Sequence, residues 1–250
     1  MELEPLILLA LVGVGLLAGF VDAIAGGGGL ITIPALLSIG MPPVLAFGTN
    51  KVQSVIGTGM AAWTYWRKGL VDIGALLPAI AAAFGAGFLG AFVVKRIDVS
   101  VLNYAVPVAL IVIALYFMFA PKLTDSDRHA RLSFVLFVPV MGFAIGFYDG
   151  IFGPGTGSFL TMGFVTLFGL GLTRAAGHTK FVNLAANLGG LALFIPSGDV
   201  IWSAAAAMAV GQLVGGYLGA MTGIRFGARL IRPLVVVVSI AMAIRLLVFR

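Results

Sequence analysis

Asp22, Lys51, Asp149 and Lys180 stand inside stretches that are otherwise apolar, and His178 lies close to the last of them. An ionised side chain at the centre of a membrane-spanning helix costs roughly 2.5–3.5 kcal/mol on the insertion scale, so each of these groups needs a partner or a task. They also pair by position: Asp22 and Asp149 are 127 residues apart, and Lys51 and Lys180 are 129 apart. Two carboxylates and two ammoniums placed twice by one rule suggest a single shared site. The plainer alternative is a pair of buried Asp–Lys bridges that pin neighbouring helices, which is compatible with such a site.

The residues around the lysines repeat as well. Lys51, Ser54 and Thr58 stand at i, i+3 and i+7, and Lys180, Asn183 and Asn187 follow the same spacing, which puts each trio on one helix face. Asn50 and Thr179 lie beside the lysines, with Gln53 near enough to join. Ser54 and Thr58 taken alone read as polar glue between helices. Each aspartate is followed by a glycine run, Gly26 to Gly29 in one case and Gly153-Pro154-Gly155-Thr156-Gly157 in the other. There a helix should break and expose backbone N–H groups, with Gly27, Gly28, Gly155 and Thr156 best placed to present them. Two ammoniums, exposed amides and the positive end of the helix that follows suit a small anion, whether a carboxylate, a phosphate or another oxyanion. Asp22 and Asp149 would either hold the lysines in place or carry a proton. His178 is the other proton-carrier candidate by its ordinary titration near neutrality; Thr49 occupies the matching position, and a lone histidine at a helix start is more often structural.

The elements that position these groups are transmembrane. Of 250 residues 61% are hydrophobic and 10% charged, with a mean hydropathy of +1.14, whereas a soluble domain is about 25% charged. The fold class read from this is an all-α polytopic membrane protein. Eight segments reach the roughly 20 apolar residues of a span, at about 6–25, 44–66, 72–94, 99–119, 131–151, 175–195, 201–223 and 229–249. Two shorter apolar pieces, about 28–39 and 156–168, follow the glycine runs and read as broken or re-entrant half-helices. A polar connection over 121–131 separates a first half, 1–120, from a second, 132–250. The halves align further: Gly48-Thr49-Asn50-Lys51 with Gly177-His178-Thr179-Lys180, Gly87 to Ala91 with Gly216 to Ala220, and Arg96 with Arg225. Internal repeats that each carry an interrupted hydrophobic segment point to a secondary transporter with its site between them.

If both short pieces change sides, the halves are inverted. One face then collects Arg67, Lys68, Lys122, Arg128, Arg131, Arg174, Arg225, Arg229 and Arg232, against Lys95, Arg96, Arg245 and Arg250 on the other. That bias favours inverted halves with both termini outside. If neither piece changes sides, the faces are nearly balanced.

Other chemistries fit poorly. There is no cysteine, which removes disulfides, thiolate metal sites and cysteine nucleophiles. Gly153 to Ser158 lacks the Gly-Lys-Ser/Thr ending of a P-loop, and Ser158 is not in a G-x-S-x-G turn, so no enzyme activity, cofactor or metal is expected. The net charge of +6 sits mostly in short loops, a topology signal and no reason to expect nucleic acid. Met1-Glu2-Leu3-Glu4-Pro5 has no basic start or cleavage signal and reads as the lead into a retained first span. Trp63, Tyr65, Trp66 and Trp202 read as interface anchors.

Gly26 to Pro34, Ala46-Phe47-Gly48-Thr49-Asn50-Lys51-Val52-Gln53, Arg67-Lys68-Gly69-Leu70-Val71, Gly146 to Gly150 and Gly153 to Gly157, in this order, resemble the sulfite exporter family called TauE/SafE, also known as toluene sulfonate uptake permeases. The resemblance runs from about residue 15 to 245. It implies a multi-pass inner-membrane secondary transporter of small sulfur-containing anions: sulfite, sulfonates such as sulfoacetate, or thiosulfate. The second glycine motif, Gly-Pro-Gly-Thr-Gly, departs from the fuller glycine run of other members and leaves the particular anion open. The expected partners are a small anionic substrate, the lipid bilayer and a coupling proton, with a homo-oligomer compatible. An anion channel, a carboxylate permease of the same architecture and a noncatalytic membrane subunit are the alternatives.

Overall fold

A computed structural model describes residues 3–102, 104, 105, 108, 125–127 and 129–227 of the chain. The span expected over 229–249 and most of that over 99–119 lie outside the described residues, as does part of the 121–131 connection. Among the described residues all regular structure is helical: α1 (Pro5–Ala25), α2 (Gly29–Ser38), α3 (Pro43–Arg67), α4 (Ile73–Val94), α5 (Phe134–Ile151), α6 (Thr156–Thr166), α7 (Leu172–Phe194) and α8 (Trp202–Phe226).

Six of the eight long segments expected from the sequence correspond to long helices in the described part, and four of these, α1, α4, α5 and α8, are long and apolar enough to cross a membrane by length and composition. α3 and α7 have 25 and 23 residues, ample for a core of about 30 Å at roughly 1.5 Å per residue. They fall short in apolarity because they carry Asn50, Lys51, Gln53, His178, Lys180, Asn183 and Asn187, all buried. α2 and α6, with 10 and 11 residues, reach about half the core thickness.

Local chemistry explains where the breaks fall. α1 stops at Gly26, whose left-handed φ of 75° lets its N–H donate to the Asp22 carbonyl at 2.8 Å. Gly155, φ 79°, makes the corresponding turn into α6. α1 packs chiefly on α8, α4 on α5 and α7, α3 on α8 and α7. Small residues allow the close approaches: a Cβ on Gly15 would overlap the Met208 carbonyl, and one on Gly90 would overlap that of Phe147.

The clusters show how the chain runs. Leu11, Leu36, Ala46, Ala204 and Met208 meet at one end of the bundle, so α1, α3 and α8 begin there and α2 finishes there. Leu76, Ala79, Val138, Phe164, Phe168 and Ala175 meet at the other, where α4, α5 and α7 begin and α6 finishes. Large apolar side chains such as Leu17, Leu77, Val135, Val140 and Val210 face outward while the polar groups above are buried, the reverse of a soluble protein.

The described part of the connection clips the start of α7. Asp127 Oδ1 accepts the Gly171 N–H at 2.6 Å, Asp125 Oδ1 accepts the Thr173 N–H at 2.8 Å, and Arg174 Nη1 donates to Asp127 Oδ2 at 2.6 Å. The helix thus gets its acidic cap from a distant segment. The Gly171 N–H, followed by Arg174, holds the Asp127 carboxyl below its ordinary value of 3.8. A carboxylate with a lowered folded-state pKa stabilises above its unfolded pKa, and that contribution is lost as pH falls through the lower value. Since Asp127 is half-exposed, Asp127→Asn should cost no more than about 1 kcal/mol. The Tm difference from wild type should stay constant above about pH 5 and shrink as pH falls below the ordinary carboxylate value toward the lowered one. A difference that does not shrink at all on acidification would show that the charge plays no part in the clip.

Candidate functional site

The two glycine breaks touch. The Ser158 N–H donates to the Gly26 carbonyl at 3.3 Å, Ser158 Oγ donates to the Ala25 carbonyl, and a Cβ on Gly26 would run into the backbone of Gly157 and Ser158. A Cβ on Gly29 would stand 3.0 Å from Pro154 Cα. Only glycines at the contact let two irregular backbones approach so closely.

The four intramembrane charges gather at this contact, and their pairing is crossed. Lys51 of α3 donates to the carboxylate of Asp149 at the end of α5, and to its main-chain carbonyl at 2.6 Å. Lys180 of α7 donates to the carboxylate of Asp22 near the end of α1 at 3.1 Å, and to its main-chain carbonyl. Each lysine therefore holds the glycine break that it does not directly follow in sequence. The side chains of Lys51, Asp149 and Lys180 are 2%, 2% and 1% exposed, whereas that of Asp22 is 13% exposed. Asp22 is the wetter carboxylate and has the longer ion pair.

Neutral donors complete both carboxylates. Asp22 Oδ1 accepts the Gly28 N–H and its Oδ2 accepts Thr58 Oγ1, both at 3.3 Å. Asp149 Oδ1 accepts Thr156 Oγ1 at 2.8 Å. Between the pairs lies a cavity with about 20 Å³ open to the centre of a water molecule, against the roughly 10–15 Å³ that one water needs. It is polar and formally neutral, and in this conformation it accommodates water or little more.

Of the residues expected at the site, Asp22, Asn50, Ser54, Asp149, Asn183 and Asn187 line the cavity, joined by Thr58, Gly26, Gly29, Gly153 and Gly157. Gly27, Gly28, Gly155, Thr156, Thr179, Lys51, Lys180 and His178 are not among the lining residues. Gly28 and Thr156 act one bond away, through the carboxylates, and the two ammoniums face the aspartates. Asn187 Nδ2 donates to the Asn183 carbonyl at 2.8 Å and to Asn183 Oδ1 at 3.0 Å, so the two amides form one unit on α7. His178 stands apart. Its Nδ1 is 2.8 Å from the Arg174 carbonyl, the geometry of a donated N–H, and its ring packs against Phe134 and Phe164 at centroid distances of 6.3 and 5.8 Å.

Four participants escape the sequence reading or gain weight. Thr32 Oγ1 donates to Asn50 Oδ1, and Thr161 Oγ1 donates to Thr179 Oγ1 at 3.0 Å. These two threonines are also 129 residues apart, a signal hidden because a threonine in an apolar run draws no notice. Gln53, wholly buried, donates to Asn50 Oδ1 at 2.7 Å and Ser54 Oγ at 3.1 Å, while its Oε1 has no hydrogen-bond partner among the described residues. Gln212 of α8, 2% exposed, sits against Gly19 and Gly57. Ala83 stands 129 residues before it, so the repeat gave no pointer to it.

A family profile described as "Sulfite exporter TauE/SafE" matches residues 11–246. A Sinorhizobium protein named probable membrane transporter protein ORF9 is 46% identical over 92% of this chain and 88% of its own length. A Haemophilus influenzae probable membrane transporter protein is 44% identical over 93% and 91%, and Escherichia coli YfcA, also named a probable membrane transporter protein, is 43% identical over 98% and 91%. No solved structure matches the chain. With a profile match over nearly its whole length and relatives well above the identity at which families diverge, the chain is a multi-pass membrane protein that belongs to the TauE/SafE sulfite exporter family.

Proposed function

We propose that the protein is a secondary transporter that moves a small anion, of the sulfur oxyanion or organosulfonate class, across the cell inner membrane through the cavity where the two glycine breaks meet. The observation that carries this reading is the crossed pairing of Lys51 with Asp149 and Lys180 with Asp22 at that contact. Four charges inside a membrane are expensive, and two neutral pairs facing a polar cavity store two ammoniums that an incoming anion can recruit.

The same pairing supplies proton coupling. An anion competes with Asp22 for Lys180, and protonation of Asp22 removes the competitor. Anion and proton then bind together, the carboxyl neutral and the ammonium shared with the substrate. Asn50, Ser54, Asn183 and Asn187 offer hydrogen bonds to its oxygens, as does Thr179 should the cavity widen. Asp22 is favoured over Asp149 as the coupling residue because its carboxylate is the more accessible to solvent and its ion pair is the longer.

The two halves act, in this reading, as inverted repeats that rock about the site. Exchanging α1 with α5, α3 with α7 and α4 with α8 maps the α1–α8 contact onto α5–α4, and the α4–α7 contact onto α8–α3. α1 and α5 begin at opposite ends of the bundle.

Two measurements test the proposal. Purified protein is melted with sulfite, sulfate, thiosulfate, sulfoacetate, lactate and phosphate, and the true substrate class should raise Tm by mass action. In proteoliposomes, flux of the stabilising anion should rise as the pH on its entry side falls. His178→Gln should keep at least half of the wild-type flux with an unshifted pH profile, because His178 lies outside the cavity. A flux independent of pH in wild type would remove the proton, and a shifted profile in His178→Gln would return the role to the imidazole.

A further inference from the structure

The two lysines make an unusual contact in common. Each Nζ is gripped by two oxygens of one residue, the main-chain carbonyl and the carboxylate of Asp149 or of Asp22. Both carbonyls lie in or next to the last turn of a helix that stops inside the protein, α5 and α1. Such a helix end carries the negative pole of the dipole. Further oxygens stand by: Thr156 Oγ1 lies 2.8 Å from Asp149 Oδ1, and Thr58 Oγ1 lies 3.3 Å from Asp22 Oδ2. Carbonyl, carboxylate and hydroxyl oxygens at the C-terminal end of a broken helix are the donor set with which broken-helix transporters hold an alkali cation.

We infer that these are two built cation sites, each occupied by a tethered ammonium where another carrier would hold sodium. The protein consequently needs no free alkali cation, and removing a lysine side chain turns its site into one for sodium. The inference rests on the transporter reading for its physiological meaning, but the donor geometry exists without it. The side chains of Lys51 and Lys180 are at most 2% exposed, so Lys→Ala leaves a buried anionic chelate with space beside it. A buried carboxylate in that position takes up a counter-ion or a proton. At pH 8 the proton is scarce and sodium is the available cation.

The test is a melting series on the purified full-length protein in detergent at pH 8, with sodium chloride replaced by choline chloride at constant ionic strength and no candidate substrate present. Wild type should melt at the same temperature in both salts. Lys51→Ala should show a saturable sodium-dependent rise of roughly 2–4 °C, absent in Lys51→Ala/Asp149→Asn. Lys180→Ala with Lys180→Ala/Asp22→Asn gives the same comparison at the second site, should Lys51→Ala be hard to isolate. Recovery of a lysine variant in sodium but not in choline also supports the inference. It is overturned if both lysine variants melt alike in the two salts, if wild type gains the same sodium response, if the double variants keep it, or if neither lysine variant can be recovered in sodium. Because no candidate substrate enters the experiment and chloride is constant, its failure leaves the transport reading standing, and failure of the transport assay leaves the cation sites standing.

Discussion

Lys51→Ala, measured in choline chloride, should lose about 3–5 kcal/mol of stability, because it strands the buried Asp149 carboxylate without its counter-charge. Lys51→Met/Asp149→Leu should recover most of that loss, since replacing both members of a buried pair by apolar side chains of similar volume is often neutral or stabilising. Yet the double variant should transport at less than a hundredth of the wild-type rate, a penalty of about 2.7 kcal/mol or more on the transport barrier. The two readouts separate the two accounts of the pair. A bridge that merely pins α3 to α5 is replaceable by a good apolar contact, and flux would then return with stability. If Lys51→Met/Asp149→Leu moves the anion at wild-type rate, the ammonium is no part of the site. If Lys51→Ala costs less than about 1 kcal/mol, Asp149 takes up a proton readily enough to be the coupling residue in place of Asp22. The expected asymmetry between the sites is itself testable: Asp22→Asn should flatten the pH dependence of flux, whereas Asp149→Asn should chiefly destabilise.

What the sequence made legible follows from what repeats. The aspartates, the glycine runs and the Lys-x-x-polar-x-x-x-polar spacing all recur, so the helix breaks and the polar stripes of α3 and α7 could be placed within a few residues. Gly26 ends α1 and Thr156 begins α6, both inside the runs singled out by type alone. The crossed pairing was not legible. Lys51 with Asp22 and Lys51 with Asp149 satisfy the repeat equally well, and only the packing of α3 beside α7 at the centre selects the second. The sequence places both lysines at the site and leaves open whether the aspartates hold them; burial makes an unpaired ammonium far costlier than a paired one, and both ammoniums face carboxylates and do not line the cavity. α3 and α7 look more apolar by eye than they are for the same reason that makes them interesting: their mid-helix polar residues are sparse enough to leave a long apolar window, yet Asn50, Lys51, Gln53, His178, Lys180, Asn183 and Asn187 are all buried. Gln212 shows the limit of repeat-based reading, since a polar residue without a counterpart gives no symmetry signal however deeply it is buried.

The meeting of the breaks makes the second large prediction, and it can be divided into its physical parts. Gly26→Ala combines two penalties: a left-handed φ of 75° that an L-residue resists, and a Cβ that overlaps the backbone of Gly157 and Ser158. The first costs about 1–2 kcal/mol and the second a further 1–3 kcal/mol of overpacking, since backbone on the far side cannot swing away as a flexible side chain can. Gly40→Ala isolates the first penalty, with a φ of 80° and nothing within 4 Å of the added methyl. Gly157→Ala isolates the second, because its Cβ would run into Gly26 while its φ lies outside the left-handed region. Gly13→Ala, inside α1 with open space around it, should be neutral or stabilise by about 0.5–1 kcal/mol. The expected order of Tm loss is therefore Gly26→Ala, then Gly157→Ala and Gly40→Ala, then Gly13→Ala. Flux follows a different order: Gly26→Ala and Gly157→Ala should each lose at least tenfold, because both push the breaks apart and move the carboxylates relative to their crossed lysines, whereas Gly40→Ala should keep most of its activity in the surviving folded protein. Gly26→Ala and Gly157→Ala share one contact, so the double variant should be less damaging than the two single losses added together. Strict additivity would mean that the two glycines do not face each other, and the cavity would then lack the wall on which both the ion pairs and the proposed anion depend.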